Sequence, residues 1–201
     1  MKEYENELYK TGIKYIGGVD EVGRGPLVGP VVTACVILPK DFYDERINDS
    51  KKLTEKKREE LYDVIMQNAI SVGIGESSEK VIDKINILEA TKKAMKEAIN
   101  NCYIKPEHVL IDAVKLDIDI PCTSIIKGDA KSQTIAAASI IAKVTRDRMM
   151  YELDKKHPEY GFASNKGYGT KKHIEALYKY GPIKEHRKTF EPVSSILNKI
   201  S

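Results

Sequence analysis

Two adjacent acids, Asp20 and Glu21, close the apolar run KYIGGV immediately before a glycine turn, GRGP. Ionised carboxylates are costly at the end of a strand unless something compensates them, and a cation is the simplest compensation. Asp112 repeats the pattern at the end of VLI, and Asp129 follows SIIKG. Carboxylates delivered to strand ends without nearby His or Cys favour a hard, oxygen-loving ion such as Mg²⁺ or Mn²⁺ over zinc. Two such ions side by side activate water and stabilise the leaving oxygen in phosphodiester hydrolysis, so the chemistry to expect is that of a metal-dependent nuclease. Taken singly, an acid beside a turn is most often a cap or a surface group. Joint placement at strand ends is what sets these four apart. Asp129 has the weakest spacing, because it can equally cap the helix that follows. Asp147 competes with it, but a mid-helix acid flanked by Arg146 and Arg148 is expected to make surface ion pairs.

The turn GRGPLVG follows a GxGxxxG spacing, and no GxxxxGK[ST] occurs, so a phosphate-binding nucleotide loop is not indicated. Pro26 removes an amide that such a cradle needs, and the preceding acids repel phosphate. The glycines instead let backbone approach something bulky. Net charge is only +3, which says little about a polyanionic partner. Basic residues do cluster at Lys51, Lys52, Lys56, Lys57 and Arg58, at Lys166, Lys171, Lys172 and His173, and at Lys184, His186, Arg187 and Lys188. Such runs are more often solvated faces than binding sites.

These residues need a scaffold, and the pattern from Lys14 to Leu38, β-branched and apolar with a break at GRGP, predicts two strands joined by a tight turn. Thr54 can cap a helix carrying Leu61, Ile65 and Ala69, and AISVGIG reads as a third strand. Ser78 starts a longer helix burying Ile82, Ile85, Met95, Ala98 and Ile99. VLIDA and CTSIIKG are further short strands. From Ser132 to about Met150 runs a helix whose Ala136, Ala137, Ala138 and Ala142 permit close packing on a sheet. PEYGFASNKGYGT reads as a loop, and Thr170 caps a final amphipathic helix. Alternating elements with an antiparallel opening pair indicate an α/β fold with a mixed sheet. At 201 residues the chain suits one domain, with a helical C-terminal elaboration from about residue 150. No apolar run is long enough to span a bilayer, the first residues do not form a signal peptide, and Cys35, Cys102 and Cys122 form no CxxC pair. A cytoplasmic protein with buried free thiols is expected.

The segment GVDEVGRGPLVGPVV closely resembles the opening signature of ribonuclease HII, the type 2 RNase H family. LIDA, KGD, SQTIAAASIIAKVTRDR, NKGYGTKKH and HRKTFEPV then resemble that family's later motifs, in order, over nearly the whole chain. The resemblance implies an RNase H-like mixed sheet flanked by helices, and an endonuclease that cuts the RNA strand of RNA/DNA hybrids. It also implies incision of duplex DNA at a lone embedded ribonucleotide. The family's four metal-binding acids fall on Asp20, Glu21, Asp112 and Asp129, a choice of Asp129 over Asp147. Its 2′-hydroxyl-reading motif falls on Gly23, Arg24 and Gly25, and its tyrosine on Tyr168, whose ring would stack on the sugar of the neighbouring deoxynucleotide. On the residues alone, Tyr168 is either a loop residue or a packing residue.

Lys51 and Lys52 in DSKKL match another segment of the family and are expected to touch phosphates, as are Arg46, Lys143 and Arg187. Ala113 and Thr189 stand where glycine and serine are frequent in the family. Ribonuclease HIII shares the acidic layout but resembles a longer chain and usually has threonine where Arg24 stands. The expected mechanism has Asp20 bridging or neighbouring two Mg²⁺ ions, with Glu21, Asp112 and Asp129 completing the cluster. Water would attack in line on the 5′ side of the ribonucleotide and leave 3′-hydroxyl and 5′-phosphate ends. A monomer is expected. Adjacent residues of a regular strand face opposite sides, so Glu21 joins Asp20 only if the strand ends or bulges there, or through its carbonyl.

Overall fold

The computed structural model describes residues 1–200. The chain opens with helix α1 (Glu3–Lys10), followed by strands β1 (Ile16–Val22) and β2 (Val31–Ile37), helix α2 (Glu55–Asn68) and strand β3 (Ser71–Ser77). Helices α3 (Glu79–Ile85) and α4 (Ile87–Asn101), strands β4 (His108–Asp112) and β5 (Cys122–Ile125), and helix α5 (Gln133–Lys156) come next. Helices α6 (Phe162–Asn165), α7 (Lys171–Tyr180) and α8 (Val193–Ile200) end the described chain. The sheet order is β3-β2-β1-β4-β5, with β1, β2 and β3 antiparallel and β1, β4 and β5 parallel. The result is the expected mixed sheet flanked by helices.

Polar caps set the helix starts. Thr54, Ser78, Ser132 and Thr170 each accept a hydrogen bond from the amide three residues on, satisfying a donor that has no partner within the helix. The long helix expected from Ser78 is broken in two. Asn86 has φ 71°, a left-handed conformation that Asn tolerates better than most residues, and its side chain caps α4 by accepting from the Glu89 amide. The stretch expected as a loop contains α6, and α8 follows α7. Helix α1 escaped the sequence pattern because its surface is mostly polar. It is anchored by one buried acid, Glu5, which accepts from Ser132 Oγ at 2.6 Å and from the Thr134 amide at 3.1 Å at the start of α5.

Helix α5 lies on one face of the sheet, with Ala136, Ala137, Ala138 and Ala142 buried against Ala34 and Val36 of β2. Helix α4 covers the other face through Met95, Ala98 and Ile99 against Val19, Val109 and Ile111. The alanines are half of the close approach; Gly18 supplies the other half. A Cβ at Gly18 would lie 2.2 Å from the Thr134 carbonyl carbon and 2.4 Å from the Ile135 nitrogen, which are helix backbone and cannot rotate away. Gly18→Ala should therefore push α5 off the strand that carries Asp20. Overpacking of this kind costs about 3 kcal/mol, or roughly 6–12 °C of melting temperature in a chain of this size. A thermal melt within about 2 °C of the native protein would contradict the packing argument.

The connection from Gly23 to Pro30 is no tight turn. Both Gly23 and Gly29 adopt positive φ, and the loop folds over the end of α5 instead of closing a short hairpin. Its Leu27 and Val28 enter a core with Met150, Tyr160, Phe162, Leu177 and Val193, so the C-terminal helices pack on the glycine loop as well as on α5.

Candidate active site

Parallel pairing brings the acids together. Val19 of β1 pairs with Ile111 of β4, so the next step along both strands sets Asp20 beside Asp112 on the face covered by α5. Asp112 pairs in turn with Ile125 of β5, and the chain leaving β5 folds back so that the Gly128 amide donates to Asp112 Oδ1 at 2.7 Å. This bond draws Asp129, in a 3-10 turn, to the same end of the sheet. Ser132 is the cap of α5, which leaves the Asp129 carboxylate free of that duty.

Strand β1 runs regularly through Val22, with Glu21 opposite Thr33, so no bulge rotates Glu21 to the side of Asp20. The two neighbouring acids start from opposite faces of the regular strand, yet the Glu21 side chain turns back far enough for the two carboxyl groups to come within hydrogen-bonding reach of each other. The Glu21 amide donates to Asp20 Oδ1 at 2.7 Å, and Glu21 Oε1 lies 3.7 Å from Arg24. Glu21 Oε2 is buried with no partner.

Electrostatics match this crowding. Burial first, then the charges of Glu21 and Asp112, hold the Asp20 carboxyl well above its usual range. The Ser139 hydroxyl of α5, itself 2.7 Å from Ser50 Oγ, opposes part of that rise. Burial also raises Glu21 against the pull of Arg24, and raises Asp129 against the pull of Lys51. The exposed Lys51 reaches in from the loop before α2, with Nζ 3.7 Å from Asp129 Oδ2. Burial alone would lower its pKa, but Asp129, Asp20, Asp49 and Asp112 together raise it.

A purely carboxylate donor set with a buried, unpartnered Glu21 oxygen fits a hard divalent cation. The acids are not drawn into a closed cage: among the described residues, no three Asp, Glu, His or Cys side chains group closely enough to hold an ion as they stand. The Gly128 amide, the Lys51 ammonium and the Glu21 amide each occupy one of the oxygens.

Of the expected phosphate contacts, Lys51 and Lys52 are exposed, with Lys52 Nζ 3.9 Å from Asp49. Arg46 is tied to Asp44 and Glu60, and Lys143 to Asp147. Asp147 is buried and pairs with Lys143 and Arg58, so it stays apart from the site, though by a buried pair and not the surface one expected. Arg187 departs most from expectation. It is wholly buried and reaches no surface: Nε donates to Gly29 O at 3.0 Å, and its two terminal nitrogens to Arg24 O at 2.9 Å and Gly23 O at 2.5 Å.

Sequence reasoning missed its companion. Arg146 of α5 is also wholly buried and donates to Pro30 O and Val28 O, each at 3.0 Å, and to Lys166 O at 2.7 Å. Burial lowers Arg146 to about 10, and burial with the Arg146 charge lowers Arg187 to about 9, so both remain cations at neutral pH. The bulky group that the glycines accommodate is now identified: a Cβ at Gly23 would meet Arg146 Nε at 2.2 Å. The Gly25 and Tyr168 segments also touch, since a Cβ at Gly25 would lie 3.3 Å from Tyr168 Cε1. Tyr168 is exposed, with Gly167 at φ 86° before it and the Gly167 carbonyl accepting from the Leu27 amide at 2.8 Å.

A family model described as ribonuclease HII matches residues 17–193. The ribonuclease HII of Bacillus cytotoxicus is 61% identical over 197 residues, spanning 98% of this chain and 76% of that one. The chain belongs to the ribonuclease HII family. Two solved structures agree with that assignment. Ribonuclease H2 from Pyrococcus horikoshii superposes with a TM-score of 0.79 at 28% identity, covering 92% of this chain and 98% of that one. The ribonuclease HII in a PCNA complex from Archaeoglobus fulgidus gives 0.74 at 27% identity, covering 88% and 95%. Membership in the ribonuclease HII family makes this chain an endoribonuclease that cleaves the RNA strand of RNA/DNA hybrids.

In this ribonuclease HII chain, two buried histidines support the tyrosine loop. The Ile183 amide donates to His186 Nδ1 at 3.0 Å, so in the neutral ring His186 Nε2 carries the proton. That nitrogen donates to His173 Nε2 at 3.0 Å, which leaves His173 Nδ1 to donate to Tyr168 O at 2.8 Å. The complete relay requires both rings neutral: a charged His186 can no longer accept from the Ile183 amide, and a charged His173 can no longer accept from His186. Burial lowers His173, and burial with the His173 ring lowers His186 to about 3, whereas unfolded imidazoles titrate near ~6.5. The relay's stability is complete above the unfolded value and is lost as pH falls from there toward 3, because the unfolded chain takes up protons that the folded relay excludes. The melting temperature should fall between about pH 7 and pH 5, and His186→Gln should flatten that slope. Equal slopes in the two proteins would show that the relay does not titrate as described.

Proposed function

We infer that this ribonuclease acts on RNA–DNA junctions, incising on the 5′ side of a single ribonucleotide embedded in duplex DNA and leaving 3′-hydroxyl and 5′-phosphate ends. The contact between the Tyr168 ring and Gly25 carries this reading, because it sets an exposed aromatic face beside the turn that follows Asp20 and Glu21. Backbone of Gly23, Arg24 and Gly25 would bond a ribose 2′-hydroxyl, the group by which RNA differs from DNA. Tyr168 would lie against the sugar of the adjoining deoxynucleotide. Exposed Lys51 and Lys52 would contact phosphates, adding affinity without selecting the site.

Asp20, Asp112 and Asp129 would hold two divalent ions, Mg²⁺ or Mn²⁺, with Glu21 contributing through its carboxylate or its carbonyl. When bound, such ions activate water and stabilise the leaving oxygen. Asp20 is held in place by the Glu21 amide and Asp112 by the Gly128 amide, so the carboxylates are oriented before substrate arrives. Lys51, 3.7 Å from Asp129, would exchange that carboxylate for a substrate phosphate.

The direct test is a duplex carrying one ribonucleotide, incubated with Mg²⁺, with Mn²⁺ and with chelator, and its products mapped. Incision on the 5′ side in metal alone is expected; no incision, or a cut on the 3′ side, overturns the reading. Tyr168→Ala should slow this substrate by about tenfold, within the ~1–3 kcal/mol that stacking on an aromatic ring is worth, and slow a long hybrid less. Equal losses on both substrates would remove Tyr168 from junction recognition.

A further inference from the structure

Arg187 and Arg146 together hold five carbonyls of the glycine loop, those of Gly23, Arg24, Val28, Gly29 and Pro30. In a trans peptide the C=O and the following N–H point in opposite directions, so a carbonyl drawn inward turns the next amide outward. Each of the five following nitrogens can be traced. The Val28 peptide presents the Gly29 amide, which donates to Glu185 O at 2.9 Å. The Gly29 peptide ends in the nitrogen of Pro30, which carries no hydrogen. The Pro30 peptide ends in Val31, which belongs to β2 and pairs with Ser77 of β3.

Two amides remain, those of Arg24 and Gly25. They follow two of the three carbonyls gripped by Arg187, and both residues are exposed. Among the described residues, neither amide has an acceptor. Among the described residues neither cation makes an ion pair, so both are held by carbonyl dipoles in place of a carboxylate. A carboxylate there would compete for the same guanidinium protons and release the loop.

We propose that Arg187 is a positioning residue for substrate selection: by holding the Gly23 and Arg24 carbonyls inward it presents the Arg24 and Gly25 amides as a pair of free donors to the ribose 2′-hydroxyl. This rests on the junction reading above and assigns it to two donors and the buried cation that aims them. Lysine at the same place keeps the charge but has a single nitrogen and cannot span the carbonyls of Gly23, Arg24 and Gly29 at once.

The test compares binding of two duplexes that differ only in one 2′-hydroxyl, in Mg²⁺, using Asp20→Asn protein with and without Arg187→Lys. A ratio of dissociation constants is unaffected by an inactive fraction, so a merely structural loss leaves it unchanged. Arg187→Lys should reduce the preference for the ribonucleotide by about tenfold, what one well-made hydrogen bond contributes net at its upper end. An unchanged ratio in a folded Arg187→Lys protein overturns the proposal. Should that variant not fold, the Arg24 and Gly25 amide resonances of the Asp20→Asn protein decide it. They should shift with the ribonucleotide duplex and not with its deoxy match, and equal response to both duplexes overturns the proposal. Failure of the junction reading looks different: the protein with Arg187 intact would itself show no preference between the two duplexes.

Discussion

Asp20→Asn should abolish measurable cleavage, with a loss of roughly 10³-fold or more, while making the metal-free protein more stable. The substitution keeps the size of the side chain and an oxygen that can accept the 2.7 Å bond from the Glu21 amide, so the geometry of β1 is preserved. What it removes is the charge. Stabilising charge in phosphoryl transfer is worth several kcal/mol, and each ~1.4 kcal/mol is about tenfold in rate. The stability change follows from the same charge. Burial and the neighbouring Glu21 and Asp112 raise the Asp20 pKa, so its ionised form opposes folding. An acid raised in the fold contributes stability below its unfolded value near ~3.9, and that contribution is lost as pH rises through the folded value. The asparagine protein should therefore gain most over native at neutral pH, in chelator, and little at pH ~3.5. Added Mg²⁺ or Mn²⁺ should raise the melting temperature of the native protein and hardly move that of the variant. A variant that still cleaves at the native rate, or that is less stable in chelator at neutral pH, would remove Asp20 from the centre of the site.

The acids were legible because strand ends are legible. An apolar run followed by a charge marks where a strand leaves the core, and two such endings mark Asp20 and Asp112, whereas Asp129 lies in a 3-10 turn beyond β5 and is singled out only by the family motif. Their association depends on which strands pair, and β1 beside β4 is a long-range parallel contact that no local pattern encodes. The same limit applies to Arg187. In sequence it is one member of a basic cluster beside Lys184 and Lys188, and only the bridge between Val28 and His186 carries it under the glycine loop. His173 and His186 look like further basic residues until folding seals them against Tyr160 and Phe162. Helix α1 was missed because its one fully buried side chain is an acid, Glu5, and Leu8 and Tyr9, partly buried against Ile16 and Leu110, make too short an apolar stripe to show a period.

Arg146→Met should cost about as much stability as Gly18→Ala, by stranding polar groups instead of overpacking. Its guanidinium fans to three acceptors on two segments, Val28 O and Pro30 O of the glycine loop and Lys166 O before Tyr168. Methionine approximates the stem but offers no donor, leaving three carbonyls stranded at about 1–3 kcal/mol each. Relief of the desolvation cost of a buried cation offsets part of this, since replacing buried charges by apolar groups is often neutral when every partner is replaced too. Here the partners are backbone and cannot be replaced, so the stranded carbonyls win and a net loss of about 3 kcal/mol is expected. That corresponds to a fall in melting temperature of roughly 6–12 °C. Arg146→Lys should recover little of it, because one ammonium cannot satisfy three carbonyls set around a planar fork. Cleavage measured well below the melting temperature should still fall, since Arg146 hydrogen-bonds both the loop after Asp20 and the segment that ends in Tyr168. A methionine variant melting within about 3 °C of native and cleaving at the native rate would mean that the two segments hold their spacing without it, through the Leu27 amide and the Gly167 carbonyl alone.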